Sequence, residues 1–257
     1  MRVQQLFDLT GRVAVVTGGS RGLGRQIAEA LGEAGARLAI TARKPEGLEE
    51  GAAALRAAGF ECLAVRCDVG REEEVDAAVA QVMAHYGRID ILVNNAGTSW
   101  AAPATDVSAA DFGKVQQTNV LGTFLVSQRV GRHMIARRYG KIVNVASILA
   151  LAGSAPEILD AIAYSTSKGA VVAFTRDLAV KWARHGITVN AIAPGFFPSR
   201  MTRVVLERRG EAIAGAAPMG RVGGPDDLKG AALLFASDAS AYITGQVLAV
   251  DGGTTAW

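Results

Sequence analysis

The sequence predicts an α/β domain built on one doubly wound parallel sheet of about seven strands, with helices on both faces. Three observations predict it. Strand-like and helix-like patterns alternate along the whole chain. Most of the strand-like runs are near-continuously apolar, as strands covered on both faces must be. The first of them, Val13-Ala14-Val15-Val16-Thr17, runs into Gly18-Gly19-Ser20-Arg21-Gly22-Leu23-Gly24 and then into a helical stripe of Leu23, Ile27 and Leu31. No linker of Pro, Ser and Gly interrupts residues 1–257, so the chain reads as a single domain.

The elements follow in order. Gly35 stops the first helix, and Arg37–Ala42 is the second strand, ending at Arg43-Lys44-Pro45. A helix around Glu46–Ala58 stops at Gly59, and Glu61–Cys67 is the third strand, with Asp68-Val69 at its end. Val75, Val79, Val82 and Tyr86 mark a helical face, and Ile89–Val93 is the fourth strand, entering Asn94-Asn95-Ala96-Gly97. Ser108 and Asp111 form a candidate capping box for a long helix running through Asn119 and Phe124 to about Arg138. Lys141–Val145 is a fifth strand ending at Ala146-Ser147, and Tyr164, Val171, Phe174, Leu178 and Trp182 begin another helical pattern. Ile187–Ile192 is a sixth strand ending at Pro194-Gly195. A polar, Arg-rich segment fills 196–217, Pro225 is placed at the first turn of a last helix, and Gln246–Val250 is the seventh strand before Asp251-Gly252-Gly253.

Composition limits the function classes. Half the residues are hydrophobic, and 27 Lys and Arg against 24 Asp and Glu leave a net charge of +3. No block of like charge and no basic stripe with interleaved aromatics points to nucleic acid. Residues 1–10 carry Arg2 and Asp8 and no apolar stretch of a secretory signal, and no run approaches the roughly 20 apolar residues of a membrane span. Cys62 and Cys67 lie in one strand; five residues at about 3.3 Å each separate them by about 16 Å, too far to bridge. Two free thiols fit a reducing cytoplasm. His85, His133 and His185 have no metal-ligand spacing, so no catalytic metal is expected.

In a doubly wound sheet, ligands bind at the carboxyl ends of the strands. The polar and glycine residues collect there. The glycine turn aims free N–H groups and the positive end of a helix dipole at one place, which suits a phosphate. A plain glycine turn between strand and helix would carry the same letters. Tyr164 and Lys168 stand four apart on a helix and so share a face. An ammonium beside a phenol favours the phenolate and lowers its pKa from about 10, which would make the pair a proton donor or acceptor. Ser147, at the end of the fifth strand, is placed to hydrogen-bond the same substrate oxygen.

These motifs together resemble the short-chain dehydrogenase/reductase family over essentially the whole chain. They stand in family order: Thr17 to Gly24, Asp68-Val69, Asn94 to Gly97, Asn119, Ser147, Tyr164 with Lys168, Pro194-Gly195 and Asp251-Gly252-Gly253. The resemblance implies a Rossmann fold and hydride transfer between a nicotinamide cofactor and a carbonyl or alcohol. It implies Tyr164 as general acid and base, and Lys168 on the nicotinamide ribose, lowering the pKa of Tyr164. Ser147 would orient the carbonyl, and Asn119 would kink its helix and hold a proton-relaying water. For the cofactor it implies Gly18, Ser20, Arg21, Gly22, Leu23 and Gly24 at the phosphates. Asp68 and Val69 would lie at the adenine, Asn95, Ala96 and Gly97 on the adenosine side, Pro194 and Gly195 beside the nicotinamide, and Ser199 at a phosphate in place of the usual Thr.

NAD-binding dinucleotide folds place an acid at the end of the second strand. Here Ala42 stands at that place, followed by Arg43, with Arg21 in the glycine turn. Arginine grips a 2′-phosphate bidentately, so NADP(H) is expected over NAD(H). Segment 196–202 resembles bacterial 3-oxoacyl reductases, in which the region is a substrate lid, here about 196–217. A 3-oxoacyl-type keto substrate is therefore the leading expectation. Arg200, Arg203, Arg208 and Arg209 would attract an anionic carrier such as coenzyme A or acyl carrier protein, or form a solvated face partly paired with Glu207 and Glu211. The alternatives are a polyol, gluconate-type sugar-acid or steroid-type alcohol dehydrogenase of the same family and, in a different class, a non-catalytic nucleotide-binding regulator. The loop 148–163, carrying Glu157 and Asp160, either borders the pocket or is a surface excursion. The family resemblance also implies a homotetramer through the helices of Asn119 and Tyr164, and Trp257 is expected at a subunit interface.

Overall fold

A computed structural model describes residues 2–256; Trp257 lies outside the described residues. The strands are β1 (Val13–Thr17), β2 (Arg37–Ala42), β3 (Cys62–Arg66), β4 (Ile91–Asn94), β5 (Gly140–Val145), β6 (Ile187–Pro194) and β7 (Val247–Val250). They form one sheet in the order β3-β2-β1-β4-β5-β6-β7, and every pairing is parallel. The order reverses between β1 and β4, and the crevice opens there.

The helices are α1 (Val3–Leu6), α2 (Gly22–Glu33), α3 (Pro45–Ala57), α4 (Glu72–Tyr86), α5 (Ala109–Gln116), α6 (Gly122–Arg137), α7 (Ile162–Trp182), α8 (Arg203–Ala216) and α9 (Lys229–Ala236). Strand alternation divides the core into two layers. Ala14 and Val16 of β1 pack with Ile27 and Leu31 of α2, Leu48 and Leu55 of α3 and Phe235 of α9. Val13 and Val15 face the other way, onto Val75, Val79 and Val82 of α4 and Leu125, Val130 and Met134 of α6. β1 is buried along its whole length, which accounts for its unbroken apolar run.

The helix expected from Ser108 to Arg138 with a kink at Asn119 is α5 and α6 joined by a π-helical turn, Gln117–Leu121, so the kink is present and the single helix is corrected to two. Asn119 sits in that turn, where an inserted residue bends the helix. The last helix begins at Lys229, not at Pro225. The Asp227 carboxylate accepts from Gly224 N at 2.6 Å and from Arg221 Nη1 at 2.5 Å, which ties the chain into turns just before α9. The short α1 carries no buried residue and left no apolar pattern to read. Among the described residues, no helix is long and apolar enough to cross a membrane, and no group of His, Cys, Asp or Glu could hold a metal ion.

Candidate active site

A cleft of about 1580 Å³ runs along the carboxyl ends of β1 to β6. At one end lie Gly18, Ser20, Arg21, Gly22, Leu23 and Gly24, with Arg43 and Lys44 beyond β2. Asp68, Val69, Asn95, Ala96 and Gly97 line its middle, and Ser147, Tyr164, Lys168, Pro194, Gly195 and Ser199 its other end. Asn119 alone of the sequence-predicted residues lies behind the wall rather than on it: it is buried, and it reaches the site through its partners.

The glycine turn is braced from below. Thr17 Oγ1 accepts from the backbone N–H groups of Asn95 and Ala96, both at 3.0 Å. Asn95 Nδ2 donates to the carbonyls of Thr17 (2.9 Å) and Gly18 (3.2 Å). Its side chain is therefore spent on holding the turn. Gly24 has no room for a side chain, since a Cβ there would fall 2.3 Å from Asn95 Nδ2 and 2.4 Å from Gly18 O. Gly22, at φ +55°, turns the chain into α2. The N-cap position of α2, Arg21, makes no side-chain cap, so the first N–H groups of a 12-residue helix face the cleft. This cradle fits a pyrophosphate.

No carboxylate stands at the end of β2. The Arg43 guanidinium is largely exposed there, 4.0 Å from Asp68 Oδ2. Asp68 Oδ1 accepts from Gly70 N at 3.1 Å, which holds the loop after β3. Gly195 N donates to Val250 O at 3.0 Å and ties the end of β6 to β7. Ser199 Oγ lies 2.9 Å from Thr202 Oγ1, and Thr202 Oγ1 donates to Phe197 O at 2.5 Å. These bonds fold the base of the segment before α8 toward Gly22.

At the opposite end, Ser147 leaves β5 in an extended conformation and caps the short turn Ile148–Ala150. Tyr164 and Lys168 share a face of α7, with Lys168 Nζ 5.6 Å from the Tyr164 ring centroid. Lys168 is buried and donates to Val145 O at 2.6 Å. Asn119 Oδ1 accepts from Thr98 N (2.8 Å), and its Nδ2 donates to Thr98 O (2.9 Å) and Ser167 Oγ (2.8 Å). Ser167 Oγ in turn donates to Tyr164 O at 2.7 Å. Asn119 thus fastens α7 to the strand end after β4. Sequence reasoning missed Ser167 and Thr98 in this brace; only Ser167's place one residue before Lys168 hinted at it.

The electrostatics differ from the expected lowering of the tyrosine. Burial pushes Tyr164 up to about 12, with the Ser147 hydroxyl pulling the other way. Burial also brings Lys168 down to about 8. Desolvation disfavours both charged forms, and here it outweighs the neighbouring ammonium. The thiols of Cys62 and Cys67 are pushed by burial up to about 11 and about 12, and both are free. The loop after Ser147 does both things: residues 151–155 are exposed at the surface, whereas Pro156 to Asp160 line the cleft, as do Phe196, Phe197 and much of the first half of α8.

A nucleotide cradle continuous with a Ser-Tyr-Lys cluster defines an oxidoreductase of the C–OH/C=O type. A family model described as enoyl-(acyl carrier protein) reductase matches residues 18–255. Gluconate 5-dehydrogenase of Gluconobacter oxydans is 40% identical over 255 residues, covering 97% of each chain. A rhamnolipid-biosynthesis 3-oxoacyl-[acyl-carrier-protein] reductase of Pseudomonas aeruginosa is 39% identical over 253 residues, 96% of this chain and 97% of the relative. The crystal structure of a gluconate 5-dehydrogenase from Burkholderia cenocepacia, in complex with NADP and tartrate, superposes with a TM-score of 0.94 at 38% identity and covers 100% of both chains. The chain belongs to the short-chain dehydrogenase/reductase family.

Proposed function

We propose that this protein is an NADP(H)-dependent oxidoreductase of gluconate-type sugar acids, interconverting a secondary alcohol and its ketone. The observation that carries the reading is one cleft joining the uncapped glycine turn, with Arg21 and Arg43 beside it, to Ser147, Tyr164 and Lys168. Likeness to gluconate 5-dehydrogenases supports the substrate class, and the NADP bound by the Burkholderia relative supports the cofactor.

The N–H groups of α2 would hold the pyrophosphate, and Arg21 and Arg43 the 2′-phosphate. Asp68 and Val69 would border the adenine, Gly97, Pro194 and Gly195 the nicotinamide side, and Ser199 a phosphate oxygen. When bound, the nicotinamide supplies or accepts the hydride. Ser147 Oγ donates to the substrate oxygen and holds it beside Tyr164. Tyr164 Oη gives its proton to that oxygen in reduction and takes it back in oxidation. The Lys168 ammonium stabilises negative charge arising on Tyr164. Asn119 keeps α7, and with it Tyr164 and Lys168, in register with the cofactor wall. Segment 196–217 serves as the lid. Exposed Leu121, Phe124 and Val180 on α6, α7 and the π turn support a homotetramer through these helices, and the two free buried thiols support a cytoplasmic enzyme.

A 3-oxoacyl substrate is the second reading, favoured by the Pseudomonas relative. The test follows NADPH and NADH oxidation with 5-keto-D-gluconate and with acetoacetyl-CoA. Turnover of the keto acid with NADPH, abolished in Tyr164→Phe while NADPH still binds, is the expected result. Turnover of acetoacetyl-CoA alone would transfer the function to the second reading.

A further inference from the structure

Helix α8 stands between two hollows and shows each a different face. Val204, Val205, Arg208 and Arg209 of α8, with Met201 in the turn just before it, line the cleft. Arg203, Leu206, Glu207, Gly210 and Ala214 line a separate groove of about 820 Å³ on the other side. Arg203 lies 4.0 Å from Glu207, its charge answered on the groove side. Arg200, Arg208 and Arg209 have no acidic partner among the described residues; all three line the cleft, and Arg200, at the base of the lid, borders the groove as well.

The cleft wall opposite carries Asp111, Lys114, Glu157 and Asp160. Asp111 is occupied, accepting from Ser108 Oγ at 2.7 Å and from Lys114 Nζ at 3.0 Å. Glu157 and Asp160 make no ion pair with the lid arginines. Three unanswered guanidiniums, exposed beside Met201, Val204 and Val205 at the mouth of the cleft, create a positive field that attracts an anion to it. The planar guanidinium matches a carboxylate fork to fork.

We propose that Arg208 and Arg209, with Arg200 at the base of the lid, form the end of the substrate pocket that binds the carboxylate of a keto or hydroxy acid. The proposal rests on the sugar-acid reading above and adds to it the residues that read the acid. They bind and orient substrate, and the proton chemistry stays with Tyr164.

The test is calorimetric, on the NADP⁺-loaded Tyr164→Phe protein, in which chemistry is blocked. D-Gluconate and the neutral polyol D-glucitol are titrated into it, and into the same protein carrying Arg208→Gln with Arg209→Gln, or Arg203→Gln. Gluconate should bind at least about tenfold tighter than glucitol, as expected for loss of a charge-assisted hydrogen bond. The double substitution should erase that preference and leave glucitol binding unchanged, Arg203→Gln should keep the preference, and Arg208→Lys with Arg209→Lys should restore part of it. Equal binding of the two ligands, or a preference that survives the double substitution, would overturn the proposal. A preference for coenzyme A over gluconate that the double substitution abolishes would also overturn it, by assigning the charges to a carrier phosphate. The sugar-acid reading itself is judged separately, by turnover of 5-keto-D-gluconate in the unsubstituted enzyme.

Discussion

Replacing Gly51 with alanine tests whether α3 buttresses the glycine turn proposed to hold the cofactor phosphates. Gly51 is buried on α3, and a Cβ there would fall 2.5 Å from the carbonyl O, 2.7 Å from Cα and 3.0 Å from the carbonyl C of Ser20. All three are backbone atoms, so no side chain can rotate away. Ordinary contacts begin near 3.5 Å, and turn and helix must therefore separate by about 1 Å. Two effects compete. Alanine gains about 1 kcal/mol over glycine inside a helix, whereas over-packing costs about 1–3 kcal/mol. Because the obstruction is backbone, the cost should win, lowering stability by about 1 kcal/mol net. The displaced turn should also weaken NADPH binding on the order of tenfold, a loss of about 1.4 kcal/mol. Gly47, one turn earlier on α3, is the control for stability: nothing lies within 4 Å of its Cβ position. Gly47→Ala should stabilise by up to about 1 kcal/mol. Thermal unfolding and fluorescence titration of NADPH read both quantities. If Gly51→Ala raises Tm as Gly47→Ala does and leaves the NADPH Kd unchanged, the buttress argument is wrong.

Arg43→Ala should raise KM for NADPH about 10- to 100-fold, the worth of a charge-assisted contact to phosphate, and leave KM for NADH nearly unchanged; its weak pairing with Asp68, at 4.0 Å, offers little compensation. Thr17→Val should lower stability by about 1–2 kcal/mol in urea unfolding, because two part-buried N–H groups, of Asn95 and Ala96, lose their common acceptor. Lys168 provides a pH test with a defined sign. Burial lowers its folded pKa from 10.5 to about 8. Between those values the unfolded chain binds more protons than the folded one, so this group's contribution to stability rises with pH across the window and its penalty is full below about pH 8. Unfolding at about pH 7.5 and about pH 9.5 should show that rise in the parent and lose it in Lys168→Met; Tyr164, raised to about 12, opposes it only above its ordinary value of 10.0.

The sheet was legible because burial on both faces leaves a mark in sequence that turns cannot imitate. β1 reads as an apolar run from Val13 to Val16, β6 as one interrupted only by Thr188 and Asn190, and both are buried throughout. Ser108 and Asp111 likewise revealed the start of α5, and the cap is present with Asp111 N donating to Ser108 Oγ at 3.0 Å. The kink at Asn119 came only with the family resemblance, and its π-helical form at Gln117–Leu121 was not legible in the residues themselves, since its cause is tertiary. Gln117 Nε2 donates to Gly70 O at 2.6 Å while Asn119 is fastened to Thr98, and both partners are distant in sequence. The start of α9 was misplaced for a related reason. Proline suits a first helical turn, but Asp227 bonds back to Gly224 and Arg221 and delays the helix to Lys229.

The site divides along the same line. A spacing of four residues is enough to put Tyr164 and Lys168 on one face, because that relation is local to α7. Their ionisation is not local. It depends on β5, whose end supplies both Ser147 and the Val145 carbonyl that accepts from Lys168 Nζ. An argument from two charges at short range predicts a lowered tyrosine, and it omits the water that packing removes. Removing that water raises Tyr164 and lowers Lys168 together. Both shifts favour the neutral forms, so the protein alone holds a protonated phenol beside a lysine whose charge is costly. A phenol raised to about 12 stays protonated at neutral pH but is a weaker acid than a free tyrosine, so giving its proton to a carbonyl oxygen calls for a positive charge nearby to offset the desolvation.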